Sequence, residues 1–198
     1  MIAGPSEIMI VADDKNRAKD IAADLLSQAE HDRMASAVLV TNSEAFALKV
    51  SEELERQIPL LERSEIARAS IDTYGKIIVT DSIEGAIEVA NGIAPEHLEL
   101  CLDNPFEYLE KVRHAGSVFL GRYCPEALGD YFAGTNHTLP TSGTAKFSSP
   151  LSVDDFVKKT AYTYYEKESL EKAYADIAYF ARREGLDAHA RSSEIRFK

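Results

Sequence analysis

The stretch "EIMIVAD" at residues 7–13 decides the fold class, because of the pattern that follows it. It is a short apolar run rich in β-branched residues, and it ends at Asp13. From Asn16 to about His31 the apolar residues recur with the helical period instead. "SAVLVT" (36–41) is the next predicted strand, and Ser43 is placed to cap a helix that continues to about Ile58. A strand, a helix and a second strand in this order indicate a parallel βαβ unit.

The same alternation continues as far as residue 121. The pattern predicts a helix over 60–72, a strand over 76–81, a helix over 82–90 capped by Ser82, a strand over 97–102, a helix over 105–113 and a strand over 117–121. Short strands that alternate with helices are typical of an α/β fold. The sequence therefore predicts a largely parallel sheet with flanking helices.

The character of the sequence changes after about residue 122. The segment 129–152 is rich in Gly, Thr, Ser and Pro and has no clean period, which is typical of a functional loop or a linker. The residues beyond it are mostly helical in pattern, with a short extended piece near 155–165. They contain too few apolar residues to bury a core of their own. We therefore expect an α/β domain over 1–145 and a small C-terminal appendage over 146–198 that packs across a subunit interface.

Composition and charge exclude several classes of protein. Among 198 residues, 45% are hydrophobic and 28% charged, which is a globular balance. The formal net charge is -11, and no basic cluster exceeds a pair such as Arg182–Arg183, so neither nucleic acid nor an anionic membrane is an expected partner. No apolar run approaches the ~20 residues that cross a bilayer. Cys101 and Cys124 form no CxxC motif, so we expect reduced thiols and a cytoplasmic protein.

Several polar residues have spacings that favour chemistry, although each also has an ordinary structural explanation. Gln28 and His31 are three residues apart and share a helix face, but a histidine at a helix C-terminus is favourable without any ligand. Asp130 and His137 flank a glycine-bearing loop, where an aspartate can simply cap a turn. Two histidines, an aspartate and an amide oxygen suit Zn²⁺, yet their spacing matches no local metal motif. The residues alone leave the metal site open, and they leave Glu96–His97 either a proton-transfer pair or polar residues at a strand boundary marked by Pro95.

Longer motifs carry a more specific signal. In chain order they are "AGPSE" (3–7), "LLSQAEHD" (25–32), "APEHLEL" (94–100), "GDYFAGTNHTLPTSGTA" (129–145) and "GLDAHARS" (185–192). Together they resemble the C-terminal half of histidinol dehydrogenase, and the resemblance covers essentially the whole chain.

The resemblance implies an incomplete Rossmann-like fold and a set of site residues. It places zinc ligands at Gln28, His31, Asp130 and His189 and proton-transfer residues at Glu96 and His97. Substrate contacts are implied at these zinc ligands, at His97, and at Ser6, Glu184 and His137. The activity implied is zinc-dependent, NAD-linked oxidation of L-histidinol to L-histidine through L-histidinaldehyde, in the last steps of histidine biosynthesis. The resemblance also implies a homodimer in which the C-terminal segment of one copy reaches the site of the other.

The cofactor half of such an enzyme is not in this chain. Family members are about twice as long, and the portion before "AGPSE" carries most of the NAD contacts. The chain has no G-x-G-x-x-G motif to replace them. We therefore expect a fragment, or a chain that works with a separate N-terminal half. Two other interpretations remain, namely a zinc- and ligand-binding module without catalysis and a metal-dependent hydrolase.

Overall fold

The computed structural model describes residues 2–198, which form two compact units. The units are Met1–Phe156 and Val157–Lys198, and each is described here by itself. The division expected after residue 145, with an appendage that packs across a dimer interface, remains a prediction. None of the helices over residues 2–198 is long and apolar enough to cross a membrane.

The first unit is built on a five-stranded sheet. Its strands are Glu7–Ala12 (β1), Ser36–Thr41 (β2), Lys76–Val79 (β3), His97–Cys101 (β4) and Ser117–Leu120 (β5). All pairs are parallel, and the spatial order is β3-β2-β1-β4-β5. This is the order of a doubly wound sheet without its sixth strand among residues 2–198. The predicted α/β class, with an incomplete Rossmann-like sheet, is therefore confirmed.

Residues 2–198 contain eight α-helices, six in the first unit and two in the second. They are Ala18–Ala29 (α1), Glu44–Gln57 (α2), Ser64–Tyr74 (α3), Ile83–Ile93 (α4), Phe106–Leu109 (α5), Glu126–Tyr131 (α6), Lys167–Arg183 (α7) and Asp187–Glu194 (α8). The two predicted serine caps are confirmed: Ser43 Oγ accepts the N–H of Phe46 at 3.3 Å, and Ser82 Oγ accepts that of Gly85 at 3.1 Å. Short 3₁₀ helices cover Ile58–Leu60, Thr144–Lys146 and Val153–Phe156.

The three central strands β1, β2 and β4 bury both of their faces, as expected of a parallel sheet covered by helices. Ile8, Ile10 and Ala12 of β1 pack with α1, α2 and α3 on one face. Met9 and Val11 pack with α4 on the other face. In β4, which pairs with β1, Leu98 and Leu100 join the α4 side. Side-chain alternation along β4 therefore turns His97, Glu99 and Cys101 toward the α1 side.

Two helices differ from the prediction, each for a local reason. The helix predicted over 105–113 ends at Leu109, because the buried Asn91 side chain binds the backbone that follows. Asn91 Oδ1 accepts the N–H of Arg113 at 2.7 Å, and its Nδ2 donates to the carbonyl of Lys111 at 2.9 Å. Helix α6 was not predicted, since Gly129 made its segment resemble a loop. A Cβ at Gly129 would lie 2.7 Å from Phe119 Cε1, so the glycine serves close packing of α6 on β5.

The second unit is a pair of helices with a very small core. Gly185, at φ 77°, lies in the turn between α7 and α8, and the buried residues of this core are Ala178, Ala181 and Ala190. Arg182 pairs with Glu194 at 2.8 Å across the two helices. Most of the large apolar side chains of this unit are exposed, among them Tyr162, Tyr179 and Phe180.

Candidate active site

The amino edge of the sheet carries a cavity lined by most of the predicted site residues. Ser6 precedes β1, Glu96 precedes β4, and His97 is the first residue of β4, so the β1–β4 pairing places all three side by side. Helix α1 returns toward this edge and brings Gln28 and His31. The cavity has a volume of about 260 Å³ and is lined by Ala3, Gly4, Ser6, Gln28, His31, Glu96, His97, Asp130, His137, Thr138, Leu139 and Thr141.

The carboxyl edge of the sheet, where doubly wound folds usually bind ligands, is occupied by ion pairs. Arg122 Nη2 lies 3.0 Å from Asp13 and 2.8 Å from Asp103, and Nη1 donates to the carbonyl of Cys101. The turn after β1, residues 13–17, contains no glycine and begins with two aspartates. Carboxylates and an arginine neutralised by them are poorly suited to the pyrophosphate of a dinucleotide.

A reciprocal set of hydrogen bonds joins Glu7 to the Glu96–His97 pair. The N–H of Glu7 donates to Glu96 Oε2 at 2.9 Å, and the N–H of Glu96 donates to Glu7 Oε2 at 3.3 Å. His97 Nδ1 lies 2.9 Å from the carbonyl oxygen of Glu7. A carbonyl can only accept, so this contact assigns the neutral ring's proton to Nδ1. The lone pair is then on Nε2, which is buried and has no hydrogen-bond partner among residues 2–198.

Burial adjusts the protonation of both members of this pair. It lowers the pKa of His97, because the imidazolium loses hydration. Burial raises the pKa of Glu96 to about 7, and the negative charges of Glu7, Asp130 and Glu126 add to the effect. A neutral imidazole and a carboxyl group that titrates near neutral pH are suited to general acid–base work.

The amide of Gln28 is the clearest unsatisfied group in the cavity. Its side chain is 1% exposed, and neither Oε1 nor Nε2 has a hydrogen-bond partner among residues 2–198. An unpaired buried amide costs about 1–3 kcal/mol, a cost that a metal ion or ligand at this position would remove. With His31 and Asp130 on the same cavity, the donors are an amide oxygen, an imidazole nitrogen and a carboxylate oxygen. This set fits Zn²⁺ or a related divalent metal.

Sequence reasoning missed Glu126 at this site. Ligand atoms of His97, Glu126 and Asp130 all lie within 4.8 Å of one another, and Glu126 Oε1 is 3.8 Å from His97 Nε2. Burial raises the pKa of Glu126 to about 7, and the Asp130 charge adds to it. Glu126 and Asp130 are four residues apart, which on a helix places them on one face. That spacing would have found Glu126 if helix α6 had been predicted.

Two further carboxyl groups, those of the buried Glu99 and the half-buried Asp24, influence each other's ionisation. Glu99, on the same face of β4 as His97, accepts the N–H of Glu126 at 2.8 Å, and the charge of Asp24 acts on Glu99. Burial raises the pKa of both carboxyl groups, and the negative charge of Asp24 adds to the rise at Glu99. Cys101 Sγ lies 3.6 Å from Glu99, and burial raises the pKa of this thiol as well. Cys101 and Cys124 are both free.

Glu184 and His189, the remaining predicted residues, belong to the second unit. Glu184 follows α7 at its C-terminal end, and His189 lies in the first turn of α8; both are exposed. Their expected roles as a substrate contact and a metal ligand remain predictions.

Comparisons with known proteins agree on one family. The family model for histidinol dehydrogenase matches residues 1–197. The histidinol dehydrogenase of Clostridium acetobutylicum is 56% identical over 198 residues, which are 100% of this chain and 46% of that protein. The enzyme of Bacillus cereus strain ATCC 14579 is 57% identical over 198 residues, with the same coverage. The crystal structure of histidinol dehydrogenase from Elizabethkingia anophelis matches with a TM-score of 0.87 and 40% identity, over 99% of this chain and 45% of that one. The chain thus spans about half the length of the curated relatives that it matches, and it belongs to the histidinol dehydrogenase family.

Proposed function

We propose that this chain supplies the metal and proton-transfer half of a histidinol dehydrogenase. The reaction is the oxidation of L-histidinol to L-histidine through L-histidinaldehyde, in the last steps of histidine biosynthesis. One observation carries the proposal: a buried imidazole with a free Nε2, a carboxyl group beside it and an unpartnered amide open onto the same cavity among residues 2–198. Family membership supplies the substrate.

The proposed zinc site is built on donors of the first unit and completed by a second copy of the chain. Gln28, His31 and Asp130 supply three donors at the cavity, and His189 is proposed as the fourth. When bound, zinc supplies a Lewis acid that holds the imidazole and amine nitrogens of the substrate. The carboxylate of Asp130 provides one negative charge, so the four donors leave the ion electrophilic toward neutral nitrogen.

His97 is proposed to take the proton of the substrate alcohol. Its Nε2 is the only ring nitrogen with a lone pair, since Nδ1–H is fixed on the carbonyl of Glu7. The lowered pKa of His97 keeps the ring neutral at physiological pH, as a base must be. The imidazolium that forms would face Glu126 Oε1, 3.8 Å from Nε2.

Glu96 is proposed to serve the second oxidation. Its carboxyl group, whose pKa is about 7, can accept a proton from the water that hydrates the aldehyde. Glu96 Oε2 lies 3.5 Å from His97 Nδ1, so the two residues proposed to transfer protons are direct neighbours. His97 can serve again when the hydrate loses its proton. Ser6 and His137 line the same cavity and are proposed to contact the substrate.

The NAD site is proposed to lie mostly outside this chain. The residues at the carboxyl edge of the sheet do not fit a dinucleotide, and the matched relatives are about twice as long. When bound, NAD accepts the hydride; the residues of this chain prepare the substrate for that event. A separate N-terminal half, or the same chain extended, would supply the cofactor contacts.

We also propose a homodimer in which Glu184 and His189 of one copy complete the site of the other. The second unit supports this, because its core consists of three alanines while Tyr179 and Phe180 are exposed. Sedimentation of the zinc-loaded chain should give the mass of two copies. A Tyr179→Ser, Phe180→Ser double variant that still sedimented as wild type would contradict the proposed surface.

The two free thiols support a cytoplasmic location.

A non-catalytic zinc- and ligand-binding role is the second candidate for the chain by itself. It is favoured by the ion pairs of Arg122 at the carboxyl edge of the sheet, which are poorly suited to a dinucleotide. Membership of a dehydrogenase family leaves a metal-dependent hydrolase with no observation in its favour.

The experiment that tests the function mixes this chain with the N-terminal half of the Clostridium relative in the presence of zinc. We expect histidinol-dependent NADH formation and NAD binding by the mixture, and little NAD binding by this chain alone. Zinc and histidinol binding without any NADH formation by the mixture would favour the non-catalytic candidate. Ester or amide hydrolysis by the isolated chain would contradict both.

A further inference from the structure

The carboxylate of Glu7 bridges two segments that border the active-site cavity. Its Oε2 accepts the N–H of Glu96 at 3.3 Å, and its Oε1 accepts the N–H of Ser142 at 2.8 Å. Glu7 and Glu96 directly precede Ile8 and His97, the first residue pair of the β1–β4 register. One side chain therefore connects the proton-transfer pair to a loop from the far end of the first unit.

That loop has a backbone conformation that needs support. Ser142 has a φ of 57°, and Gly143, with a φ of 71°, follows it. A left-handed backbone is unfavourable for a residue with a Cβ, so the hydrogen bond to Ser142 N–H stabilises a conformation that serine otherwise avoids. The preceding residues Thr138, Leu139 and Thr141 line the cavity. The position of Ser142 therefore affects the shape of the cavity wall.

A second contact ties the same loop to the segment before β1. The N–H of Gly4 donates to Thr141 Oγ1 at 2.6 Å, and the N–H of Thr141 donates to the carbonyl of Ile2 at 3.0 Å. A Cβ at Gly4 would lie 2.9 Å from Thr141 Oγ1, so the approach is close. Residues 2–7 and 138–144 are thus joined by several hydrogen bonds, and the bond from the carboxylate of Glu7 is the one that involves a charged side chain.

We propose that Glu7 is a positioning residue that holds Glu96 and the loop 138–143 in one arrangement. It acts on the reaction through the amides of Glu96 and Ser142, while its own backbone holds the carboxylate of Glu96 and Nδ1 of His97. This inference rests on the proposed function, because positioning matters only if Glu96 and His97 carry out proton transfer. A displacement of about 1 Å at a reacting group can reduce a rate about 10²-fold.

The chemistry of the bridge requires a carboxylate of this length. Two N–H donors need two acceptors, and a glutamate offers two oxygens that a glutamine replaces by one oxygen and one NH₂ group. In Glu7→Gln, a donor therefore faces one of the two amides, while volume and shape are conserved. Glu7→Asp keeps the charge but shortens the side chain by one methylene group. The first variant therefore tests the loss of one acceptor oxygen, and the second tests the loss of side-chain length.

The first test measures amide hydrogen exchange in the chain itself, without any assay of activity. Ser142 is an exposed residue, so its amide owes its protection to the carboxylate of Glu7. We expect Glu7→Gln and Glu7→Ala to speed exchange at Ser142 or Glu96 by about 10-fold or more. The matched control is Glu62→Gln, an exposed glutamate, which should leave both amides unchanged. Unchanged exchange at both amides in Glu7→Ala would overturn the bridge.

The second test measures turnover by the zinc-loaded chain combined with an N-terminal half. We expect Glu7→Gln to lower kcat by about 10–100-fold, with zinc content and KM for histidinol near wild type, because the hydrogen bonds of the Glu7 carboxylate go to the amides of Glu96 and Ser142 and not to the side chains of the proposed zinc ligands. Glu7→Asp should recover part of the lost rate if acceptors matter more than reach. A wild-type kcat in Glu7→Gln, or a loss confined to KM or zinc content, would overturn the positioning role. Inactivity of the wild-type mixture would instead count against the proposed function, and the amide exchange would still decide whether the bridge exists.

Discussion

His97 Nδ1 lies 2.9 Å from the carbonyl oxygen of Glu7, and this contact assigns the tautomer of the candidate base. With the proton on Nδ1, the lone pair on Nε2 is directed to the side where Glu126 and Asp130 lie. Because the acceptor is a backbone carbonyl in a parallel β pair, the orientation of the ring is fixed by the register of the sheet. The fold therefore sets the protonation pattern of the site as well as its shape.

The first prediction concerns the ionisation of His97 in the metal-free chain. Burial lowers its pKa, so we expect its NMR titration midpoint to fall below the ordinary value of 6.5. Above that midpoint, the ring ¹⁵N shifts should report a proton on Nδ1. A midpoint above 6.5, or a proton on Nε2 in the neutral ring, would contradict the role of Nε2 as the base.

The second prediction separates stability from metal binding at Gln28. Its buried amide has no partner among residues 2–198, so Gln28→Leu should leave the metal-free chain as stable as wild type or raise its free energy of unfolding by about 1 kcal/mol. The same change should lower zinc affinity by about 10-fold or more, because an oxygen donor is lost. Denaturant titration and zinc titration check the two parts. A destabilised chain with unchanged zinc affinity would show that Gln28 is structural.

The third prediction concerns stability as a function of pH. Burial raises the pKa of Glu99 from its ordinary 4.5 to about 8. Between these values the unfolded chain ionises Glu99 and the folded chain does not, so the contribution of Glu99 is full below about 4.5 and is lost as the pH rises toward 8. Asp24 acts in the same direction.

The variant that tests this is Glu99→Gln, which keeps an oxygen to accept the N–H of Glu126. Above pH 8 it should unfold with a free energy higher than wild type by on the order of 2 kcal/mol, and its stability should depend less on pH over this range. Exposed Glu62→Gln is the control. A variant with the full pH dependence of wild type would show that Glu99 is ionised in the folded chain.

The fourth prediction compares two glycines. A Cβ at Gly116 would lie 2.5 Å from the carbonyl oxygen of Glu96 and 3.2 Å from Leu139, so Gly116→Ala should destabilise the chain by about 2 kcal/mol or more and disturb both sides of the cavity. Gly92 lies in α4, and a Cβ there would meet no neighbouring element of residues 2–198 within 4 Å. Gly92→Ala should stabilise the chain by about 0.5–1 kcal/mol. Thermal unfolding of both variants tests the contrast, and equal effects would refute it.

The sequence predicted the parts of the fold that rest on local pattern. The strands and the caps at Ser43 and Ser82 follow from apolar period and side-chain chemistry, which are local properties. The predicted length of helix α5 was too great, because the helix ends where Asn91, some twenty residues away, binds the backbone. Helix α6 was missed because Gly129 is required by close packing against Phe119, which the sequence does not show. Such contacts between distant residues leave no periodic signal.

The candidate site also contains some residues that the sequence predicted and others that only the structure revealed. The motif resemblance named Gln28, His31, Asp130, Glu96 and His97, and the structure places all five around one cavity. Glu7 and Glu126 were not singled out, since their importance lies in hydrogen bonds and proximity across strands and helices. Gln28 is informative because its buried side-chain amide has no hydrogen-bond partner within residues 2–198. Residue type and spacing in the sequence cannot show this.

The central claim is that Glu96 and His97 carry out successive proton transfers, and one measurement tests it most directly. In the zinc-loaded mixture with an N-terminal half, NADH formation is followed separately from histidinol and from histidinaldehyde. Glu96→Gln keeps an oxygen for the N–H of Glu7, so the fold should survive. We expect it to slow aldehyde oxidation by about 10²–10⁴-fold and alcohol oxidation much less, whereas His97→Asn should slow both. Equal losses of the two steps in Glu96→Gln, or full activity in His97→Asn, would contradict the account.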